Sequence, residues 1–440
     1  MHLVAQIAFI VLTIVAILLF ARKAKEIRAN ILLGRDEDFS DQPAERWKNV
    51  LLLALGQKKM FRKPIVAILH LAVYAGFIII NIEVLEIALD GLLGSHRLFA
   101  RPLGSFYPAF INMFELLAVL VLTACAIFLI RRNIVKVPRL QWKELNGWPK
   151  EDANIILITE IILMLLFLTM NAADTTLQQR DFAEYGQHIT GNFFFSSFLH
   201  PLFTNTSSET LMTIERTCWW LHIIGIFAFL NYLPYSKHLH ILLAFPNAYY
   251  ARIKPQGKMR NMPEIQQEVL YAMQPETAPV GDTAEPEHKK FGAKDIFDLS
   301  WRNLQDAYTC TECGRCAAAC PATITGKKLN PRKIMMDTRD RMEDVRANIK
   351  KNGTFTDDGK TLLRDYITEE ELRACTTCQA CVQECPVAIS PLDIIVQMRR
   401  YLIMEESSAP AEWNSMFSNT ENNFAPWKLS PDERDKWAEG

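Results

Sequence analysis

Eight of the ten cysteines form two copies of one spacing pattern in the C-terminal part of the chain. Each copy reads Cys-x2-Cys-x2-Cys-x3-Cys-Pro, and the copies begin at Cys310 and Cys375. Two-residue gaps in a tight loop direct three thiolates to three irons of one cubane, while the fourth cysteine begins a departing helix and reaches the other cluster. The pattern predicts two [4Fe–4S] clusters with crossed ligands. The first set is Cys310, Cys313, Cys316 and Cys385, and the second is Cys375, Cys378, Cys381 and Cys320.

Other uses of these cysteines fit the pattern poorly. Ten cysteines in 440 residues are too dilute for a disulfide scaffold, and the topology described below places them in a reducing compartment. Structural zinc sites use pairs of cysteines rather than runs of four that end in Cys-Pro.

Three histidines in or beside apolar segments are candidates for a second redox cofactor, because ionisable residues within a membrane are costly and usually functional. His70 lies about 9 Å inside the cytoplasmic end of its segment, and His240 follows the cytoplasmic end of another. These depths suit the two axial ligands of a haem b. His222 is about 27 Å of helix from His240, near the outer face, and cannot serve the same ligand. The alternative is that His238 and His240 only place their rings among the headgroups.

The elements that must position these residues are helices. Five segments approach the roughly 20 apolar residues needed to cross a bilayer. They cover residues 3–20, 64–89, 106–130, 154–172 and 217–235. The predicted fold is all-α, with a five-helix transmembrane bundle followed by a cytoplasmic α-helical ferredoxin domain.

The distribution of basic residues predicts the orientation of the bundle. Residues 21–63 hold 11 Lys or Arg and residues 131–153 hold 6, whereas the loops 90–105 and 173–216 hold 2 each. Basic loops stay in the cytoplasm. We therefore expect the N-terminus outside and the ferredoxin domain inside, in the cytoplasmic membrane of a bacterium or archaeon.

Composition divides the chain into four parts. We expect a membrane domain over 1–250, a linker over 251–290, a dicluster domain over 291–405 and a tail over 406–440. Within them, helices are predicted at Pro263–Met273, after the Asn330-Pro pair and over Pro391–Glu405. The formal charge of -1 gives no electrostatic basis for binding nucleic acid.

The segment from His222 to His240 resembles the fifth helix of the cytochrome b (gamma) subunit of respiratory nitrate reductase. It has the same histidine spacing and the same Pro-x-Ser-Lys sequence before His240. The resemblance implies that His70 and His240 hold an inner haem b, that His222 serves an outer haem, and that quinol reacts near the latter. Ile80 stands where that family has another histidine. One haem is therefore expected and the second is in doubt, which leaves His222 for an outer haem or a quinone site.

Acidic residues near the predicted outer site allow two interpretations. Glu83, close to Ile80 in sequence, could exchange a proton with a quinone near His222. Alternatively, Glu83 and Glu86 belong to a polar patch hydrogen-bonded between helices, and Glu115 and Glu160 are open to the same two interpretations.

The part from about Phe291 onward resembles heterodisulfide reductase-like iron–sulfur oxidoreductases. The resemblance rests on both cysteine motifs, on Gly326-Lys-Lys-Leu and on the tail sequence Glu421-Asn-Asn-Phe-Ala-Pro-Trp. Members of that family often continue into Cys-Cys-Gly (CCG) domains, and this sequence contains no Cys-Cys-Gly. The resemblance therefore implies a separate cytoplasmic partner, a CCG-type iron–sulfur or flavoprotein subunit.

These features predict a membrane electron-transfer subunit that connects the quinone pool with a cytoplasmic redox partner. Two alternatives remain. One is a disulfide or heterodisulfide reductase component with its own catalysis, and the other is a haem-free, membrane-anchored ferredoxin.

Overall fold

A computed structural model describes residues 3–187, 190–253, 257–278 and 290–439. The predicted all-α class is confirmed, since the molecule is 72% helical and the described residues contain isolated β-bridges but no strand. Much of the predicted linker, residues 279–289, lies outside the described residues.

Nine helices precede the linker in the described ranges. They are α1 (Leu3–Ile31), α2 (Pro43–Asn49), α3 (Pro64–Leu93), α4 (Ala100–Leu103), α5 (Tyr107–Asn133), α6 (Trp148–Gln179), α7 (His200–Phe203), α8 (Ser208–Tyr232) and α9 (His240–Tyr249). Helices α1, α3, α5, α6 and α8 are long and apolar enough to cross a membrane, as predicted. Helix α6 packs against α5 and α8, α3 packs against α5, and α1 contacts α3 and α8.

The membrane helices extend beyond the predicted crossings. Helix α8 begins at Ser208 rather than Thr217, because the Ser207 hydroxyl accepts a hydrogen bond from the Thr210 amide and caps the helix. His222 lies about 21 Å along α8 from the start of the helix, and its depth in the membrane stays a prediction.

Nine further helices follow in the described residues. They are α10 (Pro263–Met273), α11 (Trp301–Thr309), α12 (Arg315–Ala318), α13 (Pro321–Ile324), α14 (Pro331–Asn352), α15 (Glu369–Arg373), α16 (Ala380–Glu384), α17 (Pro391–Met404) and α18 (Ala411–Asn423). The predicted caps are present. The Asn330 side chain accepts from the Arg332 amide and the Ser390 hydroxyl from the Asp393 amide, and each is followed by proline at the first helical position.

The C-terminal helices are packed against one end of the membrane bundle. Ile27 of α1 and Leu239, just before α9, belong to the same buried apolar cluster as Leu304 and Ile395 of the C-terminal part. Across this boundary, the Asn30 side-chain amide donates a 2.7 Å hydrogen bond to the Tyr308 hydroxyl. The two halves of the chain therefore share a core.

Candidate functional site

The first cysteine set surrounds one cavity in the C-terminal part. Its walls include all four predicted sulfurs, from Cys310, Cys313, Cys316 and Cys385, and also Cys381 of the other set. The Ile389 amide donates a 3.3 Å hydrogen bond to the Cys385 sulfur. Such N–H···S contacts stabilise negative charge on cluster ligands.

The second predicted set is also close together, and it lies nearer the surface. The Cys381 sulfur is near enough to those of Cys375, Cys320 and Cys378 to interact electrostatically. Cys378 is exposed, whereas Cys381 and Cys320 are buried. The second site is thus the more accessible one.

Both loops use the same backbone conformation. Glu312 and Gly314 have positive φ in the first loop, and Thr377 and Gln379 have positive φ at the same offsets in the second. Left-handed residues turn the chain tightly enough for successive thiols to face inward. At Gly314 a Cβ would also lie 2.6 Å from the Arg332 guanidinium and 3.0 Å from the Arg139 carbonyl oxygen, so a side chain here would displace the buried Arg332.

The predicted departing helix is present after one motif only. Cys320 is followed by α13, but the residues after Cys385 form a turn, and α17 begins only at Pro391. The Ile389 amide, which contacts the Cys385 sulfur, belongs to this turn. If a helix began at Pro386, these residues would be helical, and the Ile389 amide would not belong to a turn that faces the Cys385 sulfur.

The thiols do not converge on one point. A cubane takes one thiolate per iron, so its ligands enclose a space several ångströms wide. Accordingly, within the described ranges no three His, Cys, Asp or Glu side chains could hold a single metal ion. The donor set suits a cluster better than a mononuclear site.

A buried carboxylate ties the first loop to the membrane half. Glu312, between Cys310 and Cys313, is 4% exposed and accepts from Lys237 at 2.5 Å and from Arg339 at 2.7 Å. Burial alone would raise the pKa of Glu312, but Arg339 and Lys237 hold it below its ordinary value. The carboxylate therefore stays ionised and keeps Lys237 against the loop.

His70 and His240 face each other at the end of the bundle nearest this loop. Their ring centroids are 6.5 Å apart. Two imidazoles on opposite sides of one iron are expected to have centroids roughly 6 Å apart, since each metal–nitrogen bond is about 2 Å. The separation fits two axial ligands, although the rings are tilted by 46°.

The hydrogen bonds of the two rings involve Nδ1 and leave Nε2 available as a ligand atom. His70 Nδ1 lies 3.1 Å from the Gln57 side-chain oxygen, and His240 Nδ1 lies 3.0 Å from the Lys237 carbonyl oxygen. Oxygen atoms of this kind only accept, so they favour the neutral tautomer that donates from Nδ1 and presents a lone pair on Nε2. The His238 ring contacts the rings of Phe77 and Phe229, and its centroid is 5.7 Å from that of the His240 ring.

His222 has no histidine partner across the bundle in the described part. Its Nδ1 lies 3.0 Å from the Leu163 carbonyl oxygen, and its ring packs near Phe167. Ile80 is 6% exposed in the apolar cluster that also contains Ile223. The number of haems stays a prediction.

Glu83, Glu86 and Glu115 belong to a hydrogen-bonded network in the described part of the membrane half, and the buried Glu160 is not among its members. Arg97 is buried and contacts Glu83 at 3.1 Å and Asp174 at 2.8 Å. Glu86 accepts from Tyr107, while Glu115 accepts from Asn171. The polar-patch interpretation is therefore supported by the contacts.

The sequence did not reveal which residues contact the predicted site residues. Arg97 was counted only as a loop charge, although buried membrane carboxylates signal a cation nearby. Gln57 and Lys59 precede α3 in an ordinary basic segment, and no local pattern marks them. Their role comes from contacts with residues distant in sequence.

Comparisons with known proteins identify the C-terminal part. Residues 309–389 match the family described as 4Fe-4S dicluster domain. The chain is 28% identical to the probable iron-sulfur-binding oxidoreductase FadF of Bacillus subtilis, over 98% of the chain and 60% of that protein. It is 26% identical to the EtfAB:quinone oxidoreductase of Syntrophomonas wolfei, over 94% of the chain and 56% of that protein.

The resemblance to heterodisulfide reductase extends to another relative. Over 27% of the chain and 60% of that protein, the sequence is 32% identical to one component of the ferredoxin/F(420)H(2)-dependent CoB-CoM heterodisulfide reductase of Methanosarcina acetivorans. No solved structure matches the chain. The chain is thus related to iron–sulfur oxidoreductases and contains a 4Fe–4S dicluster domain, whereas the resemblance to the nitrate reductase gamma subunit stays a prediction.

Proposed function

We propose that this chain transfers electrons between a quinone in the membrane and a cytoplasmic redox partner. The path would use haem b at His70 and His240 and two [4Fe–4S] clusters at the eight motif cysteines. The observation that carries this proposal is the shared anchoring of the two kinds of site. Lys237 binds the Cys310 loop through its side chain and His240 through its carbonyl group.

The donor sets suit the proposed groups. Thiolates at the crossed cysteine sets and the Nε2 lone pairs of the histidine pair are ordinary ligands of iron–sulfur clusters and haem. When bound, these groups supply one-electron carriers, while the protein fixes their order and local charge. His222 remains the candidate for an outer-half quinone contact, and a second haem is not proposed because Ile80 fills the opposite position.

An open depression on the surface of α8 is the candidate quinone contact at the membrane side. It has a volume of about 400 Å³, and all its lining residues, among them Arg216, Trp220 and Leu221, belong to this one helix. An aromatic ring, an aliphatic side chain and a cation together suit an apolar ligand with carbonyl groups. The name of the Syntrophomonas wolfei relative also includes quinone.

The exposed second site supports a soluble partner. Cys378 is exposed, so a cluster in this loop could exchange electrons with a docked protein. We propose a CCG-type iron–sulfur protein or a flavoprotein as that partner. The chain spans 60% and 56% of the length of the first two relatives described above, so their full activities are not transferred to it.

The proposed arrangement keeps the predicted orientation. The N-terminus lies outside, the membrane domain covers 1–250, and the dicluster domain of residues 291–405 lies in the cytoplasm after the 251–290 linker. The tail is 406–440. Basic residues of the 21–63 segment, among them Lys59 and Arg62, contact the dicluster domain, which supports placing both on the same side.

An optical spectrum of the purified full-length chain tests the proposal. After reduction with dithionite we expect a haem b α-band together with the EPR signals of two clusters, and one haem per chain. Cluster signals without any haem band, in protein produced with haem supplied, would support the haem-free anchored ferredoxin instead.

A further inference from the structure

A short segment connects the histidine pair with the first cysteine set. Gln57 and Lys59 lie two residues apart, just before α3. The Gln57 side chain, 5% exposed, reaches His70. The Lys59 ammonium group donates to the carbonyl oxygens of Val382 at 3.3 Å and Cys385 at 3.1 Å.

A second connection leads to the same cysteine set. The Lys237 carbonyl group accepts from His240, while its ammonium group pairs with Glu312 in the Cys310 loop. Both histidines are thus tied to the loops of Cys310 and Cys385. These contacts place the first set beside the histidine pair and leave the set containing Cys378 on the far, exposed side.

The two lysines differ in how their charge is balanced. Lys237 is neutralised by Glu312. Among the described residues Lys59 has carbonyl partners but no ion pair, whereas its neighbour Arg62 pairs with Glu384 at 2.8 Å. In the described part of the chain Lys59 therefore brings a cation without a directly paired carboxylate to the Cys385 loop, where the Cys385 sulfur and Glu384 are both close enough to interact with its charge.

The second cysteine set has its own cation from the dicluster domain. Arg399 donates to the Leu372 carbonyl at 2.9 Å and to the Cys375 carbonyl at 2.6 Å. Within the described ranges each set thus has one cation on a cysteine carbonyl, and the cation of the first set comes from the membrane half.

We propose that Lys59 is a positioning residue that raises the reduction potential of the Cys310/Cys313/Cys316/Cys385 cluster alone, and that this cluster is the one next to the His70–His240 pair. A nearby positive charge stabilises the reduced, more negative form of a cluster, and does so more strongly in a partly buried site than in water. The membrane half thereby adjusts the cluster next to the histidine pair without affecting the other cluster. This inference rests on the proposed function, which supplies the two clusters and the haem.

The experiment is an EPR-monitored redox titration of the full-length protein in lipid nanodiscs. Lys59→Met should shift the midpoint of one cluster to lower potential and leave the other unchanged. Lys59→Arg, which keeps the charge, should stay near the wild type. Lys58→Met is the matched control, because Lys58 is the exposed neighbour, and it should shift neither cluster.

The shifted cluster is identified with cysteine variants. Its signal should be the one altered by Cys313→Ser and not by Cys378→Ser. The inference is overturned if Lys59→Met shifts neither cluster, shifts both equally, or shifts the cluster that responds to Cys378→Ser. A wild-type protein without two cluster signals would instead overturn the proposed function on which the inference rests.

Discussion

At the residue scale, the histidine pair depends on contacts that fix the ring nitrogens. The Gln57 side-chain oxygen and the Lys237 carbonyl oxygen lie within hydrogen-bond distance of Nδ1 of His70 and His240, which favours the tautomers with an unprotonated Nε2. A ring protonated on Nε2 could not bind iron through that atom. These neighbours therefore support the proposal that His70 and His240 would hold a haem b.

Replacing His240 by alanine should abolish the haem b absorption and leave the cluster EPR signals in place, because the substitution removes one axial ligand without touching a thiol. His238→Ala is the matched control, since this buried ring is only 5.7 Å from His240 yet is packed against phenylalanines. The control should keep its haem. Haem retained in His240→Ala and lost in His238→Ala would reverse the ligand assignment.

Crossed ligation predicts which cysteine variants resemble each other. Cys385→Ser should perturb the same EPR signal as Cys313→Ser, although the two residues lie in different motifs, because both belong to the first set. Cys320→Ser should perturb the other signal, together with Cys375→Ser. If Cys385→Ser instead resembled Cys375→Ser, each motif would hold its own cluster.

The cysteines could be predicted from sequence because cluster chemistry requires short, regular spacing. The residues that surround the cysteine sets and the histidine pair could not be predicted in this way. Glu312 is inside a motif, but its partners Lys237 and Arg339 are far from it in sequence. Gln57 is 13 residues from His70, and Lys59 is 326 residues from Cys385, so only the folded arrangement reveals their contacts.

At the element scale, the membrane helices are held together partly by charges around Arg97. This side chain links the loop after α3 to Glu83 of α3 and to Asp174 of α6. Removing one partner of a buried ion pair leaves the other charge uncompensated in a low-dielectric environment. The network therefore fixes how α3 and α6 sit together.

Arg97→Leu should destabilise the bundle by about 3–5 kcal/mol, because Glu83 and Asp174 would lose their shared cation. The change is measured by thermal or denaturant unfolding in detergent, followed by helical circular dichroism. Arg101→Leu, at an exposed position in the same loop, should change stability by no more than about 0.5 kcal/mol. Equal changes in the free energy of unfolding for the two substitutions would show that the Arg97 network contributes little to the stability of the bundle.

Helix α14 carries a pH-sensitive carboxylate. Burial raises the pKa of Asp337 to about 7, although Lys333 donates to it at 2.6 Å. In the unfolded chain an aspartate titrates near pH 4. Between these values the folded state holds the extra proton, so the stability from this group is fully present below about pH 4 and is lost as the pH rises through 7.

Asp337→Asn should therefore flatten the pH dependence of the dicluster domain. Relative to the wild type, the free energy of unfolding of the variant should rise by on the order of 1–2 kcal/mol as the pH increases from 5 to 8. The temperature at which the cluster absorbance is lost, measured across that range, reports the change. If the temperature of cluster loss changed with pH in the same way for both proteins, the raised pKa of Asp337 would be contradicted.

The helices themselves were largely predictable from local signals. The Asn330-Pro and Ser390-Pro pairs mark the starts of α14 and α17, and α10 has the predicted bounds. The start of α8 was not predicted, because its first turns carry polar residues, including Glu209, Glu215 and Arg216. Glu215 is buried by its hydrogen bond with Tyr185, a contact that hydropathy does not reveal.

At the scale of the whole molecule, the dicluster domain is docked on the bundle. Buried contacts such as Asn30–Tyr308 and the ion pair Arg332–Glu144 cross the boundary. The sequence predicted two units and a linker, but docking depends on long-range pairs. This attachment brings the first cysteine set to one end of the helix bundle and leaves Cys378 exposed.

The central claim is that one chain conducts electrons between a membrane quinone and the dicluster domain. The most direct measurement is anaerobic rapid mixing of the dithionite-reduced protein, in nanodiscs and free of excess reductant, with a short-chain quinone. We predict that quinone reoxidises the haem and both clusters, and that the clusters of His240→Ala reoxidise much more slowly. Haem and clusters that stay reduced in the wild type, or clusters that reoxidise equally fast in His240→Ala, would contradict the proposed path.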